Sequence, residues 1–212
     1  MVDYEYADLL DNQDKIRTLI DPTSSYAIAA AYALGRAVDD EIISAVTGTA
    51  YTGETGSTST TFTAGNAITE SGTDGLTLAK LRNAKQILDT NSVDPSIPRF
   101  IIVGPVAISD LLAVTQATSS DYASVKALVN GEIDSFMGFK FVMSNRLSKT
   151  GNLRKTLVYA QDGMLLALGQ DIVSRIDERS DKGYATQVYC SQSIGSTRLE
   201  ESKCVSIETY EA

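Results

Sequence analysis

The strongest constraint on the fold is a run of apolar residues at helical spacing between Asp21 and Gly48. Tyr26, Ala30, Ala33, Leu34, Ala37, Val38, Ile42 and Val46 recur on one side, while Arg36, Asp39, Asp40 and Ser44 take other faces. Asp21 can accept the first free N–H groups, and Pro22 is tolerated at the first helical position. Gly48 offers a stop. The spacing predicts one helix of about 25 residues, ~38 Å long. For a chain of 212 residues that is a strut lying across one side of the molecule. Its many alanines allow another element to approach closely. A one-sided helix needs a layer to cover its apolar stripe, and the rest of the chain supplies strands for it.

A shorter helix carrying Ile16, Leu19 and Ile20 is expected before the strut. Residues 1–14 are acidic and polar and give no signal-peptide pattern. Residues 51–75 are rich in Gly, Ser and Thr and read as a long loop or an extended excursion with weak strands. Residues 76–91 read as a second helix with Leu78, Leu81, Ala84, Ile87 and Leu88 on its apolar side, ending before Asp94-Pro95. Arg99 to Gly104 is a buried strand, Pro105 starts a third helix with Ile108, Leu111 and Leu112, and residues 121–129 read as another. Residues 138–143, 157–160 and 164–168 read as strands, the last two around Asp162-Gly163, a hairpin signal. The final third reads as β-structure: residues 171–179, a turn at 180–183, residues 184–194 and a closing strand at 204–210. Together these predict a long antiparallel ribbon with the helical strut on it. Such a shape leaves strand edges that need partners.

The chain contains no histidine, which removes a Ser-His-Asp triad, a Cys-His pair and an imidazole base. Asp39, Asp40 and Glu41 form the densest acidic run, but adjacent helical residues point about 100° apart and do not converge. No GxGxxG, GxxxxGK[ST] or GxSxG pattern occurs, and Gly53-Glu54-Thr55-Gly56 sits in the Thr/Ser-rich loop. Cys190 and Cys204, without histidine or a CxxC pattern, build no ordinary zinc site and read as small buried residues. The expectation is therefore no catalytic residue, no metal and no cofactor. The net charge of −9 argues against a dedicated nucleic-acid binder. No stretch approaches the ~18 consecutive apolar residues of a membrane span.

Three stretches carry a family resemblance. DPTSSYAIAAAYALGRAVDDEIISAVTGTAYTGETG, from Asp21 to Gly56, resembles the spine helix and following loop of tailed-bacteriophage major capsid proteins. GEIDSFMGFKFVMSNRL, from Gly131 to Leu147, resembles that family's glycine, aromatic and strand ending in Ser-Asn. QDIVSRIDERSDKGYATQVYCSQSIGSTRLEESKCVSIE, from Gln170 to Glu208, resembles its C-terminal ribbon, with a Gly-x-x-Arg step at Gly195-Ser196-Thr197-Arg198. The succession, rather than any single motif, carries the likeness.

The resemblance implies an α+β fold of the Hong Kong phage type: a long spine helix on an antiparallel ribbon, plus an axial α/β domain. It places residues 1–96 and 169–212 in a peripheral domain and residues 97–168 in an axial domain. It implies a phage or prophage structural protein that self-assembles into the icosahedral head around double-stranded DNA, located in the virion and, during assembly, in the bacterial cytoplasm. Its partners would be copies of itself in pentamers and hexamers, scaffolding and portal proteins, and packaged DNA bound non-specifically, with no membrane. The alternatives are a minor capsid component or an encapsulin-like compartment protein, and an enzyme using carboxylates or a metal at Asp39, Asp40 or Asp171. The family usually carries an N-terminal arm and an extended loop before the spine helix. A helix starting near residue 22 leaves no room for both, so the chain alone is expected to be a monomer or small oligomer. Arg36, Arg175, Arg179 and Arg198 are the candidates for inter-subunit contact, because arginine favours interface pairing; a solvated surface arginine is the alternative for each.

Overall fold

The computed structural model describes residues 1–11, 23–69, 72–113 and 135–211. The expected cap at Asp21-Pro22, the short helix with Ile16, Leu19 and Ile20, and the helix at 121–129 lie outside these residues. By contact density the chain divides into two units, Met1–Ile42 with Leu166–Ser196, and Ile43–Leu165 with Thr197–Ala212.

The first unit is a helix on a three-stranded sheet. Strand β1 (Val2–Leu10) occupies a stretch whose composition alone reads as an acidic, polar start. Its Tyr4, Tyr6 and Leu10 alternate with Asp3, Glu5 and Leu9, and that period of two decides the strand. Helix α1 (Thr23–Thr47) has the expected length of 25 residues. Strands β10 (Met164–Arg179) and β11 (Ala185–Arg198) form the expected ribbon. They are joined at Ser180–Lys182, with Gly183 and Tyr184 at φ 62° and 60°. The sheet order is β1-β11-β10, so β11 is central. β1 runs antiparallel to β11 from Val2 opposite Ile194 to Leu10 opposite Thr186. Tyr4, Tyr6 and Leu10 of β1 pack with Val188 and Cys190 of β11 against Tyr26, Ala27, Ala30 and Leu34 of α1. No β10 side chain belongs to that cluster.

The second unit holds a seven-stranded sheet with helices. Its strands are β4 (Ala67–Ile68), β5 (Arg99–Val103), β6 (Ser135–Phe136), β7 (Phe139–Met143), β8 (Lys149–Thr150), β9 (Leu153–Ala160) and β12 (Cys204–Tyr210). The order is β4-β12-β9-β5-β7-β6, with β8 paired to β9. The sheet is mixed: β5 runs parallel to β7 and antiparallel to β9. It draws on residues 67–68 and 204–210 as well as on the segment 97–168. Helix α2 (Leu78–Thr90) begins at Thr77, whose hydroxyl accepts from the Lys80 N–H at 3.3 Å. It ends with Ser92 at φ 60°, while the Val93 N–H bonds the Leu88 carbonyl and the Ser92 N–H bonds that of Asp89. That is a Schellman motif, and Val93 and Leu88 meet in the core beneath it. Helix α3 (Pro105–Ala113) buries Ala107 and Leu111 in the same core. Its centre is Phe139, Ile101, Val103, Val158 and Ile207, all fully buried.

One expected hairpin is corrected. Asp162-Gly163 does not join paired strands: β9 and β10 belong to different sheets. A two-residue hairpin of type I′ needs positive φ at both central residues, and neither Asp162 nor Gly163 has it. Instead Gln161–Gly163 forms a 3-10 turn. Glycine is required there because a Cβ would stand 2.8 Å from the Cβ of Lys203. Such a hairpin turn occurs at Met137-Gly138, with φ 54° and 88°, between β6 and β7. The loop expected at 51–75 contains a small hairpin of β2 (Ala50–Thr52) and β3 (Thr58–Thr60), with Gly53 and Gly56 at positive φ between them.

Candidate self-assembly surface

The features singled out in the sequence lie on distinct parts of the chain. Arg36 is exposed on α1, and Arg175 is exposed on β10. Arg179, at the end of β10, donates from Nε to Asp181 Oδ1 at 2.8 Å and from Nη2 to Oδ2 at 2.5 Å. That fork holds the Asp181 carboxyl below the ordinary carboxylate range. Arg198 is only 5% exposed. Arg36, Arg175 and Arg179 belong to the first unit and Arg198 to the second.

Arg198 has a task inside its own unit. Its Nη1 donates to the carbonyls of Val46 at 3.0 Å and Gly48 at 2.9 Å, and its Nη2 to that of Thr60 at 3.4 Å. The guanidinium also stands 5.4 Å from the Phe62 ring centre. Helix α1 has no basic residue in its last turn. A cation from a strand remote in sequence therefore satisfies its terminal carbonyls and its negative dipole end. Gly48 stops the helix as expected, though not by adopting positive φ: a Cβ would lie 2.7 Å from the Ser44 carbonyl oxygen. In the Gly-x-x-Arg step, a Cβ on Gly195 would lie 3.1 Å from the Cα of Met1. The glycine thus admits the start of β1, and the arginine clamps the helix end.

The acidic run on α1 is divided in the same way. Glu41 accepts a 2.5 Å hydrogen bond from the Tyr4 hydroxyl, which ties α1 to β1. That bond, with burial second, pushes the Tyr4 hydroxyl up to about 12. Asp39 is exposed and Asp40 half-buried. Asp171, the other acidic residue weighed for catalysis, is exposed on β10 and accepts from the backbone N–H of Ile172 at 2.7 Å. A groove of about 310 Å³ beside α2 is lined by Asn66, Asn83, Gln86, Ile87, Thr90 and Asn91. It is an amide surface without a carboxylate, and Asn66 and Asn91 already donate to the carbonyls of Glu201 and Ser202. Among the described residues, no three His, Cys, Asp or Glu side chains are placed to hold a metal ion. Among them, too, no helix is long and apolar enough to cross a membrane. Burial pushes the Cys204 thiol up to about 12, and both cysteines are free and buried.

What the first unit does present is bare apolar surface. Along β10, Leu166, Leu168, Ile172, Val173 and Ile176 are 38–57% exposed. On the outer side of α1, Ile28 and Tyr32 are 56% and 67% exposed, and nothing stands within 4 Å of a Cβ placed on Gly35. Large apolar groups in water on an elongated strand and an alanine-rich helix are what a contact surface requires.

The sequence pattern of the phage capsid proteins matches residues 1–211. The chain belongs to the phage capsid protein family. No curated protein matches it. Its fold is similar to that of a chain from Mycobacterium phage Che8, with a TM-score of 0.73 at 15% identity over 97% of this chain and 70% of that one. It is similar also to a subunit of the cyanophage Pam1 capsid, with a TM-score of 0.72 at 13% identity over 99% of this chain and 74% of that one. An encapsulin complex from Synechococcus elongatus matches with a TM-score of 0.65 at 10% identity over 99% and 74%. The fold is thus the α+β major capsid fold, and the capsid subunit is a structural protein of a shell. Strand β1 and its tyrosines are the part of this subunit that the sequence reading missed, and the period-two alternation could have found them.

Proposed function

We propose that many copies of this chain form the icosahedral head of a phage or prophage, in pentamers and hexamers, around double-stranded DNA. The observation that carries the reading is the family match over residues 1–211. The chain acts by contact and catalyses nothing. Residues 1–96, with helix α1, and residues 169–212, with most of the ribbon, belong to a peripheral part, and residues 97–168 to a mostly axial part. Scaffolding and portal proteins are its partners during assembly in the bacterial cytoplasm. The net charge of −9 limits adhesion to DNA, so packaged DNA is enclosed rather than gripped. Arg36 and Arg175, both exposed, are the arginines of the original four best placed to meet another copy.

Native mass spectrometry and negative-stain microscopy of the concentrated protein test this reading. Concentration-dependent small oligomers of the 22.7 kDa subunit, closed rings among them, are expected. A chain that stays monomeric at every concentration would sink it. The encapsulin likeness supports a second reading, a protein-loaded compartment. Particles from the native host that protect DNA against nuclease favour the head, and particles that hold protein cargo without DNA favour the compartment.

A further inference from the structure

Strand β10 is long, lies at the margin of its sheet and, among the described residues, gives no side chain to the cluster beneath α1. It is hydrogen-bonded to β11 on one flank, and among the described residues no strand pairs its other flank. We infer that β10 pairs antiparallel with β10 of a second copy about a twofold axis at Val173, joining two three-stranded sheets into one. This deepens the shell-subunit reading and rests on it for a setting in which many copies meet.

The charges select the register. Centring the pair on Val173 places Asp171 of each copy directly opposite Arg175 of the other, so two ion pairs flank the axis over an overlap of residues 167–179. Centring on Asp171 opposes two aspartates, and centring on Arg175 opposes two arginines and sets Asp171 opposite an Arg179 already forked to Asp181, over residues 171–179 only. Centring on Ser174 sets Asp171 opposite Asp177 twice. Centring on Ile172 leaves Arg175 opposite Gly169 and forms no direct charge pair. Centring on Ile176 opposes Arg175 and Asp177 but overlaps only residues 173–179. The Val173 register alone combines opposite charges with a long overlap. It also sets Ile176 of one copy diagonal to Leu168 and Ile172 of the other, which are 51%, 57% and 38% exposed in the single chain. Arg179 falls opposite Ala167 and keeps its own fork to Asp181. The edge backbone gains partners, and an edge otherwise open to indiscriminate pairing becomes specific to its own kind. The contact is isologous, since each copy offers the same residues.

Disulfide trapping tests the register. Cys190 and Cys204 are 1% and 0% exposed and do not compete. Val173→Cys, on the axis, should give disulfide-linked dimers under mild oxidation well above Leu9→Cys, a control at a residue 43% exposed on β1. Adding Asp171→Arg to Val173→Cys should lower the dimer yield about tenfold, and adding Arg175→Asp to that pair should restore it. Dimer yield from Val173→Cys no higher than from Leu9→Cys would overturn the pairing, as would a yield indifferent to the charges. Unaltered protein supplies a second readout: amide protection at 167–179 should rise with concentration, and concentration-independent exchange there would also overturn it. The two readings separate cleanly. Shells without the Val173 crosslink remove the pairing and leave the shell subunit, whereas the crosslink in a chain that forms no closed oligomer does the reverse.

Discussion

Strands β5 and β10 are both apolar in sequence, and the chain treats them in opposite ways. β5 lies between β7 and β9, and its Ile101 and Val103 are fully buried. Among the described residues β10 has a neighbour on one flank, and it carries Leu168 at 57% exposure and Ile176 at 51%. A strand is buried by what lies on its two flanks and two faces, not by its own hydrophobicity. In β5 the neighbours come from the same chain. In β10 the alternation of apolar and charged residues, with Asp171, Arg175 and Asp177 between the apolar groups, keeps the strand soluble until a neighbour arrives. The first region stores the subunit's stability, and the second, on the pairing inferred above, its capacity for contact.

The largest loss of stability is expected in the second unit. Phe139→Ala removes the largest fully buried side chain among the described residues, and a loss of ~3–5 kcal/mol is expected in denaturant melts. A variant that melts like the wild type would show that the sheet around β5 is not the stable core. Arg198→Met comes next. It leaves the carbonyls of Val46, Gly48 and Thr60 without their donor, for an expected loss of about 1–3 kcal/mol. Hydrogen exchange should quicken in residues 46–60. Arg198→Lys should recover only part of the loss, because an ammonium lacks the planar fork that reaches three acceptors.

Much of this division could be read from residue order. The strut, α2, the buried run at 99–103 and the ribbon were legible because each has a strong period and a chemical stop. The role of Arg198 was not legible. Its guanidinium meets a helix terminus about 150 residues earlier in the chain, and the distance in sequence of that contact has no local signature. Gly163 shows the same limit from the other side. An Asp-Gly pair between two apolar runs has the composition of a hairpin turn, yet the glycine is needed for its closeness to Lys203. Strand β1 was obscured by composition: Asp3, Glu5 and Asp8 dominate it, although Tyr4, Tyr6 and Leu10 carry the period. The bareness of β10 follows from α1 covering β1 and β11, a tertiary choice that no window of sequence contains.

A smaller effect sharpens the account of how the first unit is held. The Tyr4 hydroxyl is kept protonated up to about 12 by its hydrogen bond to Glu41 and by burial. In an unfolded chain it would release its proton near the ordinary tyrosine value of ~10. A raised folded value means the contribution is complete below pH ~10 and is lost as pH climbs toward about 12. Thermal melts between these limits should show the wild type losing stability, with Tyr4→Phe losing less over the same window. Equal slopes for the two would place the alkaline sensitivity elsewhere, with buried Cys204 the first alternative.

The smallest expected change in stability separates the two strands most directly. Ile172→Ser on β10 removes an apolar group that is already 38% exposed, so the isolated subunit should shift by no more than ~0.5 kcal/mol. Ile101→Ser on β5 places a hydroxyl where the parent side chain is fully buried, and should cost several times as much. Self-association should rank the other way. Sedimentation of the Ile172→Ser protein should show weaker association than the wild type at equal concentration, because its loss is felt only when a second copy covers the strand. If Ile172→Ser destabilises the single chain as strongly as Ile101→Ser does, then β10 is already covered within the subunit, and its exposed residues are core rather than contact surface.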